Sequence, residues 1–221
     1  MIISIDGPAG SGKSTTAKFV AKKLGFLYID TGAMYRAATL LTLITGTNPQ
    51  NELAVAHLVR DADIKMINVE DGIRVLLNNE DVTKRIRTPE VTKFVSLVST
   101  YRAVRDHLVS LQREMGENNN VVCEGRDIGT VVFPNADIKI YLTCSIDERA
   151  KRRLADLQRA NVKATFDEVK RDILRRDKID SERKLSPLKI PEGAITIDTT
   201  NLTIEEQVQK VLDLVYSLQG A

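Results

Sequence analysis

Blocks of continuous apolar residues alternate along this chain with stretches of helical periodicity. Five short apolar runs stand out: Ile2 to Ile5, Phe26 to Ile29, Val121 to Cys123, Ile138 to Cys144 and Ala194 to Ile197. Runs this short and this unbroken predict strands buried on both faces of a sheet. Between them the period changes. Ala17, Val20, Ala21 and Leu24 recur at i, i+3, i+4 and i+7, and Gly25 supplies the stop. Capping boxes mark three later helix starts: Ser145 with Glu148, Thr165 with Glu168, and Thr203 with Glu206. The last opens a helix whose buried stripe is Val208, Val211, Leu212, Val215 and Leu218. Strands alternating with helices predict an α/β fold, a five-stranded parallel sheet flanked by helices on both faces.

One stretch breaks the rhythm. From Ile64 to Val82, "IKMINVEDGIRVLLNNEDV" holds two alternating runs about Asp71-Gly72, which predicts a small antiparallel insert. A helix from about Pro89 to Gln112 is expected to follow it.

Composition narrows the class. A chain of 221 residues with 43% hydrophobic and 28% charged residues suits one globular domain. No apolar run approaches the roughly 20 residues of a membrane span, and the first residues lack the basic and cleavage-like features of a signal peptide. A cytoplasmic protein with no membrane partner is expected. Cys123 and Cys144 lie in apolar runs and read as buried free thiols. His57 and His107 have no ligand-spaced partners, so a zinc or iron site held by the protein is not expected. The net charge of +2 hides an asymmetry: Arg149 to Lys189 carries fourteen Lys and Arg against seven Asp and Glu. A solvated helix face does not account for that bias. A nucleic-acid patch would want interleaved aromatics, and this segment has only Phe166. A basic flap over a polyphosphate is the third reading.

The chemistry begins after the first strand. Gly7, Pro8, Ala9, Gly10, Ser11, Gly12, Lys13 and Ser14 satisfy G-x-x-x-x-G-K-[ST], and Thr15 follows as a further ATP-site candidate. Glycines let backbone N–H groups turn around phosphate oxygens at a helix N-terminus. Lys13 is placed to reach the β- and γ-phosphates and Ser14 to ligate Mg²⁺. This is a P-loop for a nucleoside triphosphate. The sequence holds no N-K-x-D guanine reader and no transporter signature, which leaves the small-molecule kinases. Two further strand ends carry charge: "YIDTGAMYR", read as Asp30 followed by a turn at Gly32 and a helix bearing Arg36, and "CEGRDIGTVVFP", with Glu124, Arg126 and Asp127. Three charged strand ends at one edge of a doubly wound sheet predict one ligand crevice.

"IDGPAGSGKST", "DTGAMYRA", "IRTPEV", "EGRDIGTVVFP", "ERAKRR" and "RRDKIDSER" together resemble the bacterial cytidylate kinases, and the insert at Ile64 to Val82 is similar to the enlarged insert of their long form. The resemblance implies one P-loop kinase domain over residues 1–221, with an NMP-binding insert at about 61–112 and an arginine-rich helical lid at about 149–189. It implies phosphorylation of CMP and dCMP by ATP with Mg²⁺. Arg36 and Arg126 would grip the CMP phosphate, with Thr31 beside them where the family often has Ser. Ser96, Arg105 and Asp127 would meet the cytosine, and Arg176, Asp180 and Arg183 the sugar and phosphate. Lys13, Arg126, Arg153 and Arg149 would serve the transfer itself. Glu124 stands where the family commonly has Asp; it or Asp30 would order the water around Mg²⁺ held at Ser14. Nothing reads as a dedicated interface, so a monomer is expected. The rival readings are a kinase for UMP, AMP or shikimate, a nucleotide-dependent switch, and a nucleic-acid-binding module.

Overall fold

The computed structural model describes residues 1–69, 72–159 and 161–219. In chain order its strands are β1 (Ile2–Asp6), β2 (Leu27–Asp30), β3 (Ile64–Val69), β4 (Gly72–Leu77), β5 (Glu80–Asp81), β6 (Val121–Gly125), β7 (Ile138–Thr143) and β8 (Ile195–Asp198). The helices are α1 (Lys13–Leu24), α2 (Thr31–Ile44), α3 (Glu52–Arg60), α4 (Pro89–Val98), α5 (Arg102–Gly116), α6 (Ile146–Arg159), α7 (Phe166–Glu182) and α8 (Ile204–Gln219). A five-stranded parallel sheet has the order β2-β6-β1-β7-β8. All five apolar runs become its strands, with ends moved by one residue at most positions. None of the described helices is long and apolar enough to cross a membrane.

Period-two geometry sends successive residues of a strand to opposite faces, and β6 shows the result. Val122 joins Ile3, Ile5, Ile140 and Leu142 under α1 and α8. Its neighbours Val121 and Cys123 join Ile29 and Val109 under α5 and a π-helical turn at Ile128–Val132. Burial on both faces is why these strands read as continuous apolar runs. Cys123 and Cys144 are both buried and free.

Between β2 and β6 the chain leaves the sheet and builds a second core. Residues from Ala33 on α2 to Leu108 on α5, including Met34, Val55, Ile86 and Val104, form one buried cluster with the small sheet β3-β4-β5. The β3–β4 register pairs Val69 with Gly72; Asp71 of the expected turn lies outside the described residues. A second turn, unforeseen, joins β4 to β5. Asn78 and Asn79 hold it at φ 50° and 66°, the left-handed conformation that hairpin turns demand and Asn tolerates.

The expected helix from Pro89 to Gln112 is two helices. Ser99 and Thr100 donate their hydroxyls back to the carbonyls of Ser96 and Leu97, at 2.8 and 2.7 Å, and so compete with the helical ladder. Tyr101 is then extended and starts α5. Gly32, read as a turn, instead lies in the first turn of α2, which starts at Thr31 under an Asp30 cap. The boxes at Thr165 and Thr203 are complete. At Ser145 half of the box forms: its hydroxyl accepts from Glu148 N–H, but its own N–H goes to Thr200 and Glu148 turns to Arg152.

Leu108 is fully buried in the second core. Leu108→Ala should cost about 2–5 kcal/mol in unfolding free energy, read from urea denaturation; a loss under about 1 kcal/mol would mean that α5 is not clamped there.

Candidate active site

β2, β6 and β1 are neighbours in the sheet, so their carboxyl ends open side by side, with the sheet order reversing at β1. The loop after β1 is shaped by close approach. A Cβ on Gly7 would sit 2.2 Å from the Leu142 carbonyl oxygen, and one on Gly12 2.6 Å from the Gln207 side-chain oxygen. Gly12 holds φ 93° as α1 begins without a side-chain cap, which leaves that helix's first N–H groups and its positive end facing the loop. Outside contacts brace the loop. Thr199 donates its hydroxyl to Ser11 O at 2.9 Å, and Arg149 donates to Ala9 O at 3.2 Å.

At the floor of the loop two side chains of opposite sign are both buried. Lys13 donates to Pro8 O at 2.7 Å. Ser14 donates to the Glu124 carboxylate at 2.5 Å, and Tyr28 Oη lies 3.5 Å from the same oxygen. Burial, then the charge of Arg126, pulls the Lys13 ammonium down to about 7. Burial, then Asp30, pushes the Glu124 carboxyl up. Asp30 ends β2, accepts from Ala33 N–H at 2.9 Å as the α2 cap, and pairs with Arg87 at 3.3 Å. Thr31 donates to the Glu124 carbonyl oxygen at 2.8 Å, tying the ends of β2 and β6 together.

Above this floor arginines gather. Arg36, on α2, donates to Thr92 Oγ1 at 2.9 Å and Ile86 O at 3.3 Å, and makes no ion pair among the described residues. Burial lowers it to about 9, and the charges of Arg176, Arg87 and Arg153 act in the same direction. Arg176 is lowered by burial and then by Arg126. The structure thus puts Arg36 in the fields of Arg153 and Arg176, and Arg176 in the fields of Arg126 and Arg153, from α2, the end of β6, α6 and α7. Two arginines borrow carboxylates from α7: Arg126 pairs with Asp180 at 2.9 Å and Arg149 with Asp177 at 2.5 Å. Ser11 Oγ, Arg149 Nε and Arg176 Nε are buried with no hydrogen-bond partner among the described residues. Buried donors left without a partner suit phosphate oxygens.

Beside the arginines lies a buried polar cluster. Asp127 accepts from Arg105 and, at 3.3 Å, from Arg183. Arg105 also donates to Ser99 O at 3.2 Å, a carbonyl set free by the α4–α5 break, and its guanidinium lies over the Tyr35 ring, 5.5 Å from the centroid. Ser96 is buried on α4, and its hydroxyl has no hydrogen bond among the described residues. Arg87, Asp177, Tyr28 and Tyr35 also belong to this region, and the sequence did not announce them as site residues. Their partners lie 28 to 96 positions away in the chain, so no local spacing carries the signal.

The profile of the family described as cytidylate kinase matches residues 3–217. A cytidylate kinase of Carboxydothermus hydrogenoformans is 49% identical, the alignment covering 97% of each chain. One from Caldanaerobacter subterraneus subsp. tengcongensis is 51% identical over 96% of this chain and 93% of its own. Among solved structures, an uncharacterized protein from Eubacterium ventriosum is similar in fold alone, with TM-score 0.51 and 11% identity over 98% of this chain and 99% of its own.

The depressed Lys13 has a measurable consequence. A bound triphosphate favours the ammonium and raises its pKa, so at pH 8 ATP binding should take up protons. Titration calorimetry in Tris and in HEPES, with EDTA present, should give buffer-dependent heats of that sign. Lys13→Met should remove the difference; proton release by the unaltered protein would contradict the assignment.

Proposed function

The chain belongs to the cytidylate kinase family, and from that premise we propose which of its residues carry the reaction. The protein transfers the γ-phosphoryl group of ATP to CMP or dCMP, giving ADP with CDP or dCDP. The observation that carries the residue assignments is the gathering of arginines from α2, the end of β6, α6 and α7. Arg36 and Arg126 lie in the fields of Arg153 or Arg176, Arg126 and Asp127 cross-pair with Asp180 and Arg183, and Arg149 reaches the glycine loop. On this reading the donor's phosphates lie in the loop of Gly7 to Ser14, with Thr15 behind them, and the acceptor phosphate lies under Arg36 and Arg126.

The acceptor phosphate is already anionic, so no general base is needed. What the protein supplies is alignment and neutralisation of charge spread over the moving group. Lys13 is assigned to the donor's terminal phosphates. Binding them restores a full charge to a lysine that burial had weakened, which concentrates the gain where charge develops. Arg153 and Arg149, on α6, are assigned to the transferred group from the opposite side. α6 and α7 share a small core of their own, Ala150, Val169 and Ile173. That supports treating residues 149–189 as a unit that closes over ATP and excludes water. The second core supports treating 61–112, together with α2 and α3, as the acceptor-binding unit.

The residues present fit a magnesium ion. Ser14 Oγ, Glu124 and Asp30 offer hard oxygens, and Glu124 is pushed up by burial and by Asp30, a penalty a cation would relieve. Ser14 would hold the ion, with Glu124 or Asp30 reaching it through water. Bound there, it would draw charge from the phosphate oxygens.

Asp127, Arg105 and Ser96 are assigned to the base. A carboxylate and a hydroxyl accept from the exocyclic amine of cytosine, while a guanidinium donates to N3 and O2. Uracil reverses that edge and would set a carbonyl against Asp127. Arg176, Asp180 and Arg183 are assigned to the sugar and phosphate, and Thr31 to the wall beside them. The acceptors are free nucleotides, and a monomer suffices because every assigned group comes from one chain.

Asp127→Ala should lower kcat/KM for CMP by about a hundredfold or more, with KM for ATP within about twofold, in coupled ADP assays. Equal losses for both substrates would make Asp127 structural. A larger kcat/KM for UMP than for CMP in the unaltered protein would refute the cytosine assignment.

A further inference from the structure

The residue that reads the base must itself be held, and Asp127 sits where the backbone leaves regular structure. β6 ends at Gly125, Asp127 has φ −147° and ψ 29°, and a single π-helical turn follows at Ile128–Val132. π turns are rare and mostly single, and they occur frequently at functional sites. Two side chains from elsewhere hold it at its two ends.

At its start stands Asp6, the last residue of β1, fully buried. One carboxylate oxygen accepts from Ile128 N–H at 2.7 Å and the other from Gly129 N–H at 2.8 Å. These are the two N–H groups directly after Asp127. At its end stands Arg113 on α5, which donates to Val132 O at 3.0 Å and Val131 O at 2.6 Å. The two are linked through the turn, because Val131 and Val132 donate their N–H groups to the Asp127 carbonyl, at 2.9 and 3.2 Å. The turn has little room to shift: a Cβ on Gly129 would meet Pro191 at 2.8 Å and Ser4 Oγ at 3.0 Å.

A buried carboxylate here is expensive. Burial raises Asp6 to about 6 even though both backbone bonds and the Lys13 charge favour its ionised form. An apolar residue would serve packing better; a bidentate acceptor for two consecutive N–H groups is what the position gains. Lys13, Asp127, Cys123 and Tyr141 are the titratable groups whose fields meet Asp6.

We propose that Asp6 and Arg113 are positioning residues for base recognition: together they clamp the turn that presents Asp127, and so set the discrimination between cytosine and uracil without touching the nucleotide. The proposal rests on the assignment of Asp127 to the base. Arg113 lies outside the phosphate-binding and transfer machinery, so its loss falls on KM for the acceptor rather than on kcat, whereas the charge of Asp6 also favours the ammonium of Lys13 and its loss can lower kcat as well.

Asp6→Asn keeps the size of the side chain but replaces one acceptor oxygen with an amide that confronts an N–H. Arg113→Gln acts on the same turn from a partly exposed position and leaves the sheet untouched. Both variants, with Asp127→Ala as reference, are compared on CMP and UMP with ATP saturating, alongside thermal melting. The expected result is a fall of about tenfold in the CMP-to-UMP ratio of kcat/KM for Asp6→Asn and about threefold for Arg113→Gln. KM for CMP should rise in both variants, with kcat and KM for ATP within about twofold for Arg113→Gln. A ratio unchanged in both variants, or equal losses for both acceptors, overturns the proposal. Should Asp6→Asn not fold, Arg113→Gln decides alone by the same ratio. If Asp127→Ala also leaves the ratio unchanged, it is the base assignment that fails; if Asp127→Ala lowers it and the clamp variants do not, only the clamp fails.

Discussion

Like charges held together at a half-buried edge are the constraint around which this molecule is arranged. Arg36, Arg126, Arg153 and Arg176 each sit in the field of at least one other, and burial disfavours the charged forms of Arg36 and Arg176. Such a cluster is tolerable where the fold supplies some compensation and an anion supplies the remainder. Asp180 and Asp177 supply the first, each held by one arginine. Arg36 has only neutral oxygens for partners. The repulsion among these arginines is what a phosphate bound there, on the assignments above, would relieve.

The sheet order is what brings these charges to one place. Because β2, β6 and β1 are adjacent, Asp30, Glu124 and the glycine loop open onto a common edge. The second core then carries Arg36, Arg87 and Arg105 to that edge from the side, on elements that own their packing. Glu124 lies next to Ser14 and Asp30 is paired with Arg87, so carboxylates and cations alternate along that edge. On the assignments above, such an edge suits a metal–phosphate pair better than either partner alone.

The sequence made the parts with local signatures legible. The glycine loop, the five sheet strands, the complete caps at Thr165 and Thr203 and the α8 stripe of Val208, Val211, Leu212 and Val215 each depend on residues within a turn or two of one another. Leu218, expected on that stripe, is instead exposed in the last turn of α8. What escaped was set by competition or by distance. Ser99 and Thr100 end α4 because their hydroxyls outbid the ladder, a choice that helical periodicity alone does not reveal. Asn78-Asn79 did carry a turn signal, overshadowed by the stronger Asp-Gly beside it. The pairings of Asp30 with Arg87 and of Arg149 with Asp177 join residues brought together only by the fold. Asp6 was in plain view beside the glycine loop, but its role depends on a turn more than a hundred residues away.

Two short pieces of backbone organise the acceptor side, and their charges interlock. Arg126 and Asp127 are consecutive at the end of β6; Asp180 and Arg183 are three residues apart where α7 ends. The pairs cross, Arg126 with Asp180 and Asp127 with Arg183. Asp180 pays a penalty for its place, since a carboxylate in the last turn of a helix opposes the helix dipole. Arg126 offsets it, and burial by itself would lower that arginine were it not for Asp180 and Glu124. Each charge is therefore justified by the other piece. On the assignments made above, Arg126 addresses the phosphate end of the acceptor and Asp127 the base end. Both ends thus share one point of the backbone, while Arg36 on α2 and Ser96 and Arg105 on α4 and α5 meet the same two ends from the second core. That shared point gives the site a way to recognise a nucleoside monophosphate as a unit, and it couples any displacement of α7 to base and phosphate together.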